Sequence, residues 1–195
     1  MMHQPRIRRD ETGFTLMEVI VTCAIIGIIA AIAIPSFSSL LPKYRLRLAA
    51  QELLSNFQLA KITAIKRNTN CTISFSLPPA FNKYFNDGSG NYEYAVFIDS
   101  NRDLEYDAGE QVIAKKQWTD YNNDVKFDTT QGGGDGVLFD PNAFGLPSIS
   151  FRSNGLPVNK NGIPSGGTVF LTNTNNSRTM QINLTTAGGV TITTN

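Results

Sequence analysis

Gly13-Phe14-Thr15-Leu16-Met17-Glu18 runs without a break into Val19-Ile20-Val21-Thr22-Cys23-Ala24-Ile25-Ile26-Gly27-Ile28-Ile29-Ala30-Ala31-Ile32-Ala33-Ile34. From Phe14 to Ile34 the only charged side chain is that of Glu18. About 21 residues at roughly 1.5 Å each make about 31 Å of helix, the thickness of a bilayer's hydrocarbon core. The stretch reads as a membrane-crossing helix.

Ahead of it, Arg6, Arg8 and Arg9 stand against Asp10 and Glu11. Bases beside an apolar span tend to stay cytoplasmic, so the chain beyond the span is expected to face outward. Glu18 makes the span more than an anchor. A carboxylate in hydrocarbon costs up to about 3 kcal/mol at mid-helix and less near an end, so it calls for a partner. A cut between Gly13 and Phe14 would create an α-amine one helical turn from Glu18. Between neighbouring helices, that pair of charges would set the axial register of an assembly.

These residues resemble the class III signal of type IV pilins and type II secretion pseudopilins: a short basic leader, Gly13, Phe14, and Glu18 as the fifth residue after the cut. The resemblance implies that a prepilin peptidase cleaves after Gly13, that Phe14 is N-methylated, and that Glu18 is the assembly glutamate. A second stretch, Leu54 to Asn68 leading into Thr72-Ile73-Ser74-Phe75, resembles the helix-to-strand junction of the GspH/FimT minor pilins and pseudopilins. It implies an α+β type IV pilin fold, with a long N-terminal helix packed on an antiparallel head. The division would be 1–13 as leader, 14–42 as transmembrane and helix-core segment, and 43–195 as globular head. The implied role is that of a structural subunit of a type II secretion pseudopilus or type IV pilus, single-pass in the inner membrane before it enters the filament. Its partners would be the prepilin peptidase and other pilins or pseudopilins, and a retained Glu18 places it in the filament body or below the tip. The alternative role is DNA or surface binding, in natural transformation or adhesion. A competing processing site, Ala31-Ile32-Ala33, would release a secreted protein, but Glu18 lies inside the run and Pro35 follows it.

Beyond the span, Pro35 and Pro42 are expected to bend the helix without ending it. From Leu46 the pattern turns amphipathic. Leu46, Ala50, Leu53, Phe57, Ala60 and Ala64 recur at intervals of four and three, which gives one packing face. Past Lys66 come short β-branched and aromatic runs. Strands are expected at 72–76, 94–98, 111–115, 125–127, 148–151, 168–172, 179–184 and 190–194, as a meander over the helix. Loops are expected at 78–91, 129–136 and 154–167, which are rich in Gly, Pro, Asn and Ser.

Removing 13 of the 195 residues leaves one helix and one head large enough for a single core. Net charge +1 supplies no global attraction to nucleic acid. Cys23 and Cys71 are 48 residues apart, about 70 Å if helix runs between them, so they cannot bridge. Cys71 reads as a small core residue. The one histidine, His3, lies in the leader, so the mature chain would lack the usual proton shuttle and zinc ligand, and no spacing argues for an enzyme.

Asp99, Asn101, Asp103, Asp107 and Glu110 occupy positions 1, 3, 5, 9 and 12 of a twelve-residue loop, the ligand spacing of an EF-hand, which makes Ca2+ a candidate cofactor. Leu104 stands where that loop wants Gly, and strand-like sequence flanks it, as in a hairpin of acidic turn residues. For DNA, the resemblance points to basic residues near the C-terminus. Here Gly189 stands where the family often has Arg, and from Asp128 onward the bases are only Arg152, Lys160 and Arg178, which reads as dispersed charge and no strong nucleic-acid signal. Lys43, Arg45, Arg47, Lys61, Lys66 and Arg67 read as a solvated or membrane-proximal helix stripe.

Overall fold

A computed structural model describes residues 13–75, 92–107, 109–174 and 178–194, with the backbone alone for 34–39. Most of the leader and the expected loop at 78–91 lie outside the described residues. The chain divides into two compact units, Met1–Leu40 and Leu41–Asn195.

In the first unit, α1 (Leu16–Arg67) begins. Thr15 starts it by capping: its hydroxyl accepts the Glu18 N–H at 3.2 Å, and its carbonyl accepts the amides of Glu18 and Val19. Leu16–Ala33 has a mean hydropathy of 2.6, and none of it is buried. The helix assignment passes Pro35 and Pro42 without a break, as expected.

In the second unit, every position of the expected packing stripe is buried, from Leu46 at 1% exposure to Phe57, Ala60 and Ala64 at 0%. These side chains share one core with residues of two antiparallel sheets. The first sheet has the order β3 (Val112–Lys116), β2 (Tyr94–Asp99), β1 (Asn70–Phe75), β6 (Ser148–Phe151), β7 (Pro157–Val158). The second has the order β10 (Val190–Thr194), β9 (Thr179–Leu184), β8 (Gly167–Asn173), β4 (Val125–Phe127), with β5 (Val137–Leu138) also on β8. Phe75 is the hub of the core, with Phe57, Tyr94, Phe127 and Phe139 all at ring-centroid distances of 5.6–6.3 Å. Such aromatic contacts add to area burial.

All eight expected strands form, four with the expected bounds and four with ends moved by a residue or two. The single meander is corrected to two sheets, because β1 pairs β6 across more than seventy residues and β4 pairs β8. β7 lies inside the expected loop at 154–167, and β5 and a 3-10 turn at Trp118–Tyr121 were also unforeseen. Two-residue strands such as β5 and β7 have no alternation to read. Gly167 permits the approach of β5 to β8, since a Cβ there would stand 2.0 Å from the Leu138 carbonyl oxygen.

The first sheet is covered on both faces. Tyr94 and Val96 point into the main core, while Ala95 and Phe97 join Tyr92 and Leu146 in a second cluster. The loop after β2 closes that cluster with Tyr106, whose ring meets Phe97 edge-on at 5.5 Å.

Candidate functional site

The N-terminal residues come first. Gly13 and Phe14 precede the helix, which starts at Leu16, so Phe14 is not one helical turn before Glu18 as the sequence suggests; the Thr15 cap places it outside. Phe14 is 84% exposed, and nothing lies within 4 Å of a Cβ built on Gly13. Thr15-Leu16-Met17-Glu18 has capping-box spacing, a signal the sequence reading passed over. Only half of the box is used. Thr15 accepts the Glu18 amide, and among the described residues the Glu18 carboxylate has no hydrogen-bond or ionic partner. Thr22 bonds the Glu18 carbonyl at 2.9 Å and leaves the carboxylate free.

The acidic loop behaves differently. Asp99 is 1% exposed, and its oxygens accept the Thr72 hydroxyl at 2.8 Å and the amides of Arg102 and Leu104 at 2.6 and 3.2 Å. Burial, outweighing those bonds, pushes its carboxyl above the usual range. Glu110 accepts the Ser100 and Asp107 amides, and Asp103 accepts the Glu105 amide. Asn101 turns its Nδ2 to Asp103 and Asp107 at 2.7 and 2.8 Å, so that position presents a donor where a metal needs an oxygen. Leu104, in the place of the EF-hand Gly, takes φ +67° and buries its side chain. Asn142 and Ala143 then tie Leu104 and Glu105 down. Among the described residues no three His, Cys, Asp or Glu side chains stand together as a metal site. In this arrangement the loop's oxygens hold the cover over the second cluster.

The helix bases do not form one stripe. Arg45 pairs with Asp124, Lys61 donates to the Gly188 carbonyl at 3.0 Å, and Arg67 bonds Gln111. Lys43 and Arg47 instead line a cleft with Arg178. Nor are the later bases dispersed: Arg152 and Lys160 line another cleft with Arg102, because the β6–β7 hairpin and the turn after it fold back beside the β2–β3 loop. Arg102 and Arg178 carry no local sequence signal for these roles. Both cysteines are free, and burial pushes the Cys71 thiol up to about 12, as befits an inert core residue.

Within this frame the family becomes legible. The family described as Type II transport protein GspH matches residues 49–188, well over half of the chain. The chain belongs to the GspH family. A second match, to the prokaryotic N-terminal methylation motif, covers residues 8–34 and supplies the class III signal. The GspH-family chain is also 30% identical over 140 residues to Pilin-like protein PilA1 of Thermus thermophilus, spanning 70% of this chain and 79% of the relative. No solved structure matches. This is a type IV pilin-like minor pilin or pseudopilin with an α+β pilin-like fold, from a structural family and not an enzyme family.

Proposed function

We propose that this chain is made as a precursor, with 1–13 as leader, 14–42 as membrane and filament-core helix, and 43–195 as periplasmic head. A prepilin peptidase cuts Gly13–Phe14, Phe14 is methylated, and Glu18 receives the Phe14 amine of a neighbouring subunit as the protein leaves the inner membrane for a type II pseudopilus or type IV pilus. The observation that carries this reading is the Glu18 carboxylate, without a partner among the described residues, in the first turn of α1, where the apolar stretch Leu16–Ala33 is uncovered. The helix dipole favours an acid there by only about 0.3–1 kcal/mol, too little to offset burial among apolar neighbours, and the amine of a neighbouring subunit would supply the balancing charge. Gly27, with nothing within 4 Å of a built Cβ, leaves room for close helix packing.

Protein recovered from cells with a working prepilin peptidase should begin at N-methylated Phe14. A start at Met1, or at Ile34 after signal-peptidase cleavage, would overturn the reading. Glu18→Ala should leave cleavage intact and cut incorporation into filaments more than about tenfold, the effect of an unmet charge.

A second reading, DNA or surface binding, is favoured by the cleft of Arg102, Arg152 and Lys160. Three phosphate contacts give a salt slope of only about −2.7, which implies weak binding near physiological salt. The full chain in detergent micelles should not retard duplex DNA in moderate salt. Retardation abolished by Arg152→Gln would establish the second reading.

A further inference from the structure

The cleft at the start of the head, about 420 Å³, combines three bases with apolar side chains. Lys43 and Arg47 from α1 and Arg178 beside β9 line it with Leu46, Met180 and Ile192, and among the described residues no Asp or Glu does. Lys43 and Arg47 are four residues apart and so share a helix face. Among the described residues none of the three bases has an ion pair, whereas the intervening Arg45 is held by Asp124. Leu46 and Met180 are 1% and 8% exposed, so the floor is packed core and not loose surface.

We propose that this cleft binds the headgroup of an anionic phospholipid, the phosphate between Arg47, Arg178 and Lys43 and the first carbons of the lipid over Leu46, Met180 and Ile192. Guanidinium groups meet phosphate oxygens with paired N–H donors, and Lys43 adds a point charge. An apolar floor beneath three cations matches an amphiphile, and inorganic phosphate has nothing to place there. Lys43 follows Ile34, the end of the apolar span, by only nine residues in the sequence, and Lys and Arg stems extend across apolar surface to reach a polar headgroup layer. The inference rests on the membrane-anchored reading above; a lipid held here would tie the head to the bilayer before extraction.

The test uses the full-length protein in phosphatidylcholine nanodiscs with and without phosphatidylglycerol, reading the lipids retained on release by native mass spectrometry. Phosphatidylglycerol should be retained over phosphatidylcholine. Arg178→Gln and Lys43→Gln should each lower that retention about fivefold, and Lys66→Gln, the same charge change outside the cleft, should leave it within twofold. Equal retention of the two lipids, an equal loss with Lys66→Gln, or displacement by millimolar inorganic phosphate would overturn the lipid assignment. Failure to insert into either bilayer would remove the membrane reading and the inference with it.

Discussion

The two halves of α1 are both rich in apolar residues, yet they have opposite fates. From Leu16 to Ala33 nothing is buried, while from Leu46 to Ala64 a stripe of six positions is almost completely so. The first half is apolar all round and offers no polar face to water; the second alternates, so one side packs and the other is solvated. A helix apolar on every side needs a lipid or protein environment that the described residues do not provide. The second half is satisfied within its own head.

This contrast can be broken most sharply by truncation. Phe57→Ala should cost the head about 3–5 kcal/mol, because the cavity opens beside Phe75 and Phe139. Ile26→Ala should change head stability by less than about 0.5 kcal/mol. Denaturant unfolding of the full chain in micelles, followed at Trp118, measures both. Equal effects would mean that the two halves are not energetically distinct.

A smaller effect should be visible in pH. Glu93 accepts the Trp118 amide at 2.8 Å, and burial, with help from Asp120, raises its carboxyl from 4.5 to about 7. The folded state thus holds this proton more tightly than the unfolded one. Stability from this group is complete below about pH 4.5 and is lost as pH rises toward 7. Glu93→Gln keeps an acceptor for Trp118 and should remove that decline, leaving the variant more stable than the parent at pH 8. Unfolding midpoints across pH 4–8 would test it, and an unchanged slope would refute the assignment.

The smallest expected effect is at the acidic loop. Calcium titration should release no heat at millimolar concentration, because the loop's oxygens already accept its own amides. Heat that disappears in Asp99→Ala would restore the five-ligand reading.

Much of the fold was legible because it is local. The apolar span, the signal at Gly13, Phe14 and Glu18, and the stripe from Leu46 to Ala64 are periodicities or spacings within one segment, and propensity acts at that range. Eight strands were visible for the same reason. β5 and β7 were not, since two residues cannot alternate and β7 exists only because β6 offers an edge to Pro157 and Val158.

The sequence alone determined that this chain carries a long apolar N-terminal helix behind a methylation-type signal and an α+β head, since hydropathy and motif spacing are properties of consecutive residues. Only the tertiary structure decided that the strands split into two sheets, that the loop after β2 covers Phe97, and that Arg178 lines one cleft with Lys43 and Arg47. Those outcomes bring together residues as much as 135 positions apart, and no periodicity within a segment encodes which distant residues will become neighbours.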